Sequence, residues 1–280
     1  MKQLSFFYFS ISLIFFLIVC NSIFPQNEEE ELKEKEIIGG VRIAPGYRPE
    51  NRFDRDLKNY KTLTSSDVYN EIFLHNTHST ENTEFFIKTK IYENMFAGLT
   101  IGNTNLRGFR IDELDTAGNF NRLNFNFKVQ YFMLGFHYIF PFKHFYIEAG
   151  AGMGVNTISW NSDGILASTE GVYKQKGYMV GNGLGYRMEL YINKMLSSVL
   201  GIQGGIVTQY FTVPSFAGSL NDSSGSSNGS MYLRSNGTIA PYSSAEFADS
   251  IIATNFASRK LDMTMGNWMI QIGVFYKLSY

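Results

Sequence analysis

Cysteine occurs once, at Cys20, inside the only long apolar run of the chain. Everything downstream of that run is therefore without disulfides, thiolate metal sites or cysteine nucleophiles. Neither sign of charge dominates: 24 Lys and Arg stand against 25 Asp and Glu. A balance so even argues against nucleic acid as a partner, which demands a concentrated basic face. Long hydrophobic runs are missing after Phe24, and the mean hydropathy is only -0.11. A polytopic helical membrane protein would need about 20 apolar residues in a row for each span. Proline is scarce too, 6 residues against 26 glycines, which suits strands in a narrow space more than helices or linkers.

The exceptional run, Leu4–Phe24, follows a basic tip at Lys2 and ends near small polar residues at Cys20–Ser22. That order predicts a secretory signal peptide over 1–22, with cleavage between 22 and 26. Cys20 is preceded by Val19, whereas a lipidated cysteine usually follows a small residue, so a lipid anchor is not expected. Residues 27–36, NEEEELKEKE, carry no apolar periodicity and read as a solvated periplasmic leader.

What the chain has in abundance is aromatic residues, 17 Tyr and 25 Phe, and strict alternation. The clearest case is the closing stretch Met265–Tyr280. Trp268, Ile270, Ile272, Val274, Tyr276, Leu278 and Tyr280 share one face of a strand, and Asn267, Gln271 and Lys277 lie on the other. The same period recurs over Ile37–Tyr47, Phe85–Tyr92, Met95–Gly102, Leu123–Phe140, Phe145–Thr157, Gly177–Ile192 and Ser198–Phe211. Crossing a bilayer takes roughly 9–11 residues; six of the eight predicted strands reach that length, and Phe85–Tyr92 and Met95–Gly102 fall one residue short of it. Short turns at Glu93-Asn94, Pro141–His144 and Asn193–Ser197 alternate with long polar segments at 48–83, 103–122, 158–176 and 212–262.

That rhythm predicts an all-β fold: a closed antiparallel transmembrane β-barrel of eight strands over 37–280, or ten if 60–83 or 230–256 adds a hairpin. A soluble sandwich also alternates, but it does not demand short and long connections in turn. An open sheet cannot span lipid, because its edge groups would be unsatisfied there. Short turns and chain ends are expected in the periplasm and the four long loops outside the cell. One strand is internally inconsistent. Leu123, Phe125, Phe127 and Val129 form one apolar row, while Phe132, Leu134, Phe136, Tyr138 and Phe140 form a row of opposite parity. Either the first half projects beyond the membrane or a β-bulge near Gln130 switches the faces.

On AGAGMGVN (149–156), GYMVGNGLGYRMEL (177–190) and MIQIGVFYKLSY (269–280), the chain resembles small outer-membrane barrels of the OmpA, OmpX and OmpW type. The resemblance implies integral location in the outer membrane of a diderm bacterium. It further implies that Val274, Tyr276, Leu278 and Tyr280 are the carboxy-terminal signal read by the barrel-assembly machinery. It does not fix a role, since one fold hosts many activities.

The predicted interior collects Arg42, Lys88, Lys90, Glu148, Arg187, Glu189 and Lys277, with Gln203, Gln209 and Gln271. Charges in such a space must be paired or wet. An eight-stranded barrel is just wide enough for side chains to fill it, so an ionic plug is the expected arrangement. In a conducting barrel, the basic excess of that set would favour anions. His137 faces inward as a further member, and His144 lies in a short turn. His75 and His78, near Glu71 and Glu81, are a weak metal motif in a loop; no metal site and no cofactor are expected. Outer-membrane deacylases, palmitoyl transferases and proteases need His, Ser or acid constellations at the wall or rim. The chain offers only His78-Ser79, in a loop, so no catalytic residues are assigned. Expected partners are outer-membrane lipid, the assembly machinery and extracellular or host ligands at the loops. The expected role is structural or adhesin-like surface interaction, with a narrow porin-like channel as the alternative.

Overall fold

The computed structural model describes residues 35–50, 71–75, 78–114, 120–168, 171–222, 225–233, 239–241, 259–260 and 262–279. The predicted signal peptide, Cys20, nearly all of the charged leader and Tyr280 lie outside these residues. Thirteen strands are present among them: β1 (Glu36–Tyr47), β2 (Glu71–His75), β3 (Ser79–Tyr92), β4 (Met95–Leu114), β5 (Phe120–Pro141), β6 (Tyr146–Ser168), β7 (Gly171–Met195), β8 (Leu200–Val213), β9 (Ala217–Asp222), β10 (Gly225–Leu233), β11 (Ile239–Pro241), β12 (Arg259–Lys260) and β13 (Met263–Ser279). Eight of them close a ring in the order β1-β3-β4-β5-β6-β7-β8-β13 and back to β1, every pair antiparallel. The other five extend the sheet at the long-loop end, β2 on β4 and β9 to β12 beyond β7. The ring therefore has eight staves rather than ten.

The stagger of the ring follows from its registers. A line perpendicular to the strands runs from Ile37 through Thr89, Ala97, Phe136, Ala151, Met188, Thr208 and Trp268, and returns to β1 at Tyr47. The return point lies ten residues beyond the start. With strands about 4.8 Å apart and a rise of about 3.3 Å per residue, that shear tilts the strands by roughly 40°. Three short turns close the opposite end. Asn94 accepts from Ile139 N at 2.8 Å, Phe142 and Phe145 stack with centroids 4.9 Å apart, and Ser197 Oγ accepts from Leu200 N at 3.0 Å.

Two corrections to the sequence reading have one cause. Segments 103–122 and 158–176, expected as loops, are largely strand, because β4, β5, β6 and β7 run 20, 22, 23 and 25 residues. Segment 48–83 likewise yields β2 and the first five residues of β3, and 212–262 yields β9 to β12. Asn, Gly and charge look like loop in the sequence, yet the backbone ladder needs no apolar side chain to continue. The parity conflict in β5 is not a bulge. Its pairing with β6 is unbroken from Phe120↔Ala167 to Pro141↔Tyr146, and with β4 from Met95↔Tyr138 to Leu106↔Phe127.

The faces exchange environments instead. From Gln130 toward the short-turn end, apolar Phe132, Leu134 and Phe136 point out and polar groups point in. Beyond Gln130, Asn126 and Lys128 are exposed while Phe127 and Val129 are buried. Strands β6 and β7 do the same: Asn161, Asp163, Lys174 and Lys176 are exposed, and Ile158, Trp160 and Met179 are buried. One half of each long strand is built for lipid and the other for water. The switch between them marks the membrane surface.

Candidate functional site: the buried charge network

Within the lipid-facing half, the ring strands aim polar side chains at the axis. β1 supplies Arg42 and β3 supplies Asn82, Glu84 and Lys88. β5 adds Tyr131 and His137, and β6 adds Glu148. From β7 come Arg187, Glu189, Tyr191 and Asn193, while β8 contributes Gln203 and β13 Gln271; all of these are buried. Their spacing is that of inward positions on strands, two, four or six residues apart on the same chain segment.

Glu84, fully buried, is the hub. Its carboxylate accepts two bonds from Arg187, Nη1 to Oε2 and Nη2 to Oε1, each 2.7 Å. Arg42 Nη1 donates to Oε1 at 2.9 Å and the Tyr131 hydroxyl to Oε2 at 2.7 Å. Such charge-assisted, two-pronged contacts are the strong class of hydrogen bond. Glu189 takes the remaining Arg187 nitrogen, Nε, and lies 3.8 Å from Arg42 Nη1. Lys88 pairs with Glu148, and Asn193 Nδ2 donates to the same carboxylate at 3.4 Å. The guanidinium of Arg42 also lies over the Phe86 ring at 3.7 Å and the Tyr191 ring at 4.3 Å. Tyr191 bonds Gln271, and Arg187 Nη2 donates to both Tyr191 and Gln271, at 2.8 and 3.1 Å.

His137 Nδ1 lies 2.9 Å from Glu148 Oε1 and 2.8 Å from Glu189 Oε1. It fits only because β6 carries no side chain beside it: a Cβ on Gly150 would run into the imidazole and into Glu189. These three groups have the donor types of a metal site, with ligand atoms within 4.8 Å of one another. Their surroundings favour ion pairing instead. Glu148 already serves Lys88, Glu189 serves Arg187, and a divalent ion would sit among three buried cations.

Of the sequence candidates, Arg42, Lys88, Glu148, Arg187 and Glu189 meet in this network. Lys90 is half-buried nearer the short-turn end and forms no ion pair with it. Lys277 bonds Glu36 at 2.8 Å close to the same end, apart from the cluster. Val274, Tyr276 and Leu278 are exposed on the outer wall. His78 Nδ1 meets the Arg48 carbonyl at 2.8 Å and its ring faces Tyr47; the side chain of His75 lies outside the described residues. Glu84 escapes a sequence reading that begins the second strand at Phe85. The continuous inward row Thr80, Asn82, Glu84, Phe86, Lys88 discloses it. Its inclusion corrects the charge count. Arg42, Lys88 and Arg187 balance Glu84, Glu148 and Glu189, so the core has no basic excess.

Apolar layers close the network on both sides. Toward the short turns, Ile38, Phe86, Phe96 and Phe275 pack with Ile139, Tyr146 and Met195. Toward the long loops, Val129, Ile158, Trp160, Phe211, Val213 and Phe216 are buried, with Phe127 and Trp160 rings 4.9 Å apart. A closed cylinder with an apolar exterior leaves no backbone group unpaired in hydrocarbon, the condition for crossing a membrane with strands. Among the described residues there is no helix of spanning length. The protein is a small, integral β-barrel of the outer membrane.

No family model and no curated protein matches the chain. Among solved structures it is similar to a major outer membrane protein from Thermus thermophilus, with 12% identity, 87% of this chain and 99% of that one covered, and a TM-score of 0.43. It is also similar to the outer membrane protein OprG from Pseudomonas aeruginosa (11%, 88% and 95%, 0.35). A third is Ail, the attachment invasion locus protein of Yersinia pestis (9%, 88% and 100%, 0.38). Likeness at this level says nothing of role.

Proposed function

We propose that this barrel is a non-conducting scaffold that holds its long-loop end outside the cell for surface interaction, in the adhesin-like sense. The observation that carries the reading is the filled interior. Apolar layers lie on both sides of the ionic middle layer, Asn156, Gln209 and Asn267 are buried as well, and Glu84, Tyr191, Val207, Phe211, Ile158 and Trp160 stand at 0% exposure. A narrow porin-like path would have to break charge pairs in the middle layer and unpack rings above and below it. The long-loop end, by contrast, is elaborated: β4 to β7 continue past the membrane and β9 to β12 widen the sheet. Loops on a rigid support are where recognition concentrates.

The same proposal holds that the protein has no enzymatic activity and is exported by the 1–22 signal peptide. In it, Val274, Tyr276, Leu278 and Tyr280 direct insertion by the assembly machinery. Planar-bilayer recording of the purified chain tests the sealed interior: no conductance steps are expected, and a reproducible open level would overturn it. Binding to immobilised matrix and serum glycoproteins tests the surface role. Deletion of 215–262 should abolish binding while heat-modifiable gel migration persists; unchanged binding would count against it.

A further inference from the structure

The outer wall is not uniform around the ring. On β7, β8, β13 and β1 the upper margin of the apolar band carries large rings in cross-strand pairs, Tyr186 with Tyr210 and Trp268 with Tyr47, all exposed. These form half of an aromatic girdle of the usual kind. On β3, β4, β5 and β6 the girdle is interrupted. Thr83, Asn103, Gln130 and Thr157 stand there instead, consecutive partners in one ladder row. Because crossing each tilted strand climbs about 3 Å, the row rises through the same zone that the rings occupy on the other side.

The missing rings leave a groove of about 620 Å³ on the lipid-facing wall. Its membrane side is lined by Phe85, Ile101, Phe132 and Val155, the next outward row down, and its upper side by the four amide and hydroxyl side chains. No acid or base lines it. Asn103 Oδ1, shielded from water at its edge, has no hydrogen-bond partner. We propose that this groove is a binding site for a glycolipid of the outer leaflet. Acyl chains lie along the apolar row, and sugar hydroxyls and amides meet Thr83, Asn103, Gln130 and Thr157. Two features select that occupant. The groove is continuous with the surface that acyl chains already cover, and its polar half is neutral, matching hydroxyl and amide groups better than a phosphate or an ammonium.

The test uses the full chain in phosphatidylethanolamine vesicles doped with a diacylated glucosamine glycolipid, with bound lipid counted by native mass spectrometry. Wild type should carry one glycolipid per chain. Asn103→Leu/Gln130→Leu, which keeps the wall apolar but removes two polar partners, should lower occupancy roughly tenfold or more. Thr157→Tyr, which restores a ring to the gap, should do the same if the double variant fails to fold. Tyr186→Leu/Tyr210→Leu on the opposite wall should leave occupancy unchanged. Three results would overturn the proposal: enrichment no greater than the vesicle composition, phosphatidylethanolamine held in its place, or a chain dimer that Gln130→Leu dissociates.

Discussion

Replacing Glu84 with Gln keeps the side-chain volume and removes one charge from the centre of the barrel. In the wild-type protein this carboxylate takes two bonds from Arg187, one from Arg42 and one from Tyr131, all at 2.9 Å or less. After Glu84→Gln, Arg42 keeps only the 3.8 Å contact with Glu189 as an ion pair, and three cations face two carboxylates. Breaking a buried ion pair from one side costs about 3–5 kcal/mol, because the abandoned charge stays out of water. That corresponds to roughly 100- to 4,000-fold in the folding equilibrium. The assay is urea unfolding in phospholipid vesicles, followed by the mobility of unheated samples on a gel. Asp163→Asn, at an exposed position on β6, serves as the control and should stay within about 0.5 kcal/mol of wild type. A further variant, Glu84→Gln/Arg187→Gln, restores neutrality and should cost less than the two single changes added together, with a coupling of about 1–3 kcal/mol. If Glu84→Gln unfolded at the same urea concentration as Asp163→Asn, or if the double variant showed simple additivity, the hub role would be wrong.

The exchange of faces in β5 predicts opposite outcomes at neighbouring residues. Phe127→Lys, which places an unpaired charge in the apolar layer, should destabilise the barrel by several kcal/mol, about the cost of a lone buried charge after relaxation, while Asn126→Lys should be near neutral in the same urea titration. On the lipid side, Phe136→Lys should cost about 2–4 kcal/mol, less if the position lies near the interface; a neutral result would place that wall in water. At the long-loop end, Asp112 is held by Arg122 Nε at 2.7 Å and Arg110 Nη2 at 2.6 Å. Burial pushes its carboxyl up, but hydrogen bonds from Arg122 and then Arg110 outweigh this and leave it below the usual carboxylate range. A lowered folded-state value contributes stability that is present above about pH 4, the unfolded value, and fades as pH falls through the folded one. Amide exchange near Arg110–Leu114, corrected for intrinsic rates, should therefore be less protected at pH 3 than at pH 5. Asp112→Asn should erase that difference.

The ring strands were legible because a two-residue period survives in every one of them, and because short turns such as Glu93-Asn94 and Pro141–His144 break the chain at regular points. Strand length was not legible. Beyond the membrane the alternation continues with its sense reversed, so Asn161 and Asp163 outward with Trp160 inward reads as loop to anyone expecting apolar residues outside. The same reversal made Phe127 and Val129 look like a register fault, when they are core residues of the part of the barrel that stands in water. Glu84 was lost to a strand boundary set three residues too late for the network, at the first large apolar side chain. Partnerships across the axis, such as Arg187 with Glu84, join residues 103 apart in sequence and follow only once the ladder registers are known.

The two tryptophans report directly on which side of the wall faces lipid. Trp160 is buried inside the upper barrel at 0% exposure, and Trp268 stands on the outer wall at 57%. In vesicles of brominated phospholipid, fluorescence of Trp160→Phe, which retains Trp268, should be strongly quenched. Trp268→Phe, which retains Trp160, should stay bright. Equal quenching of both, or quenching of Trp160 alone, would contradict a barrel whose strands turn an apolar face to lipid below the membrane surface and to their own interior above it.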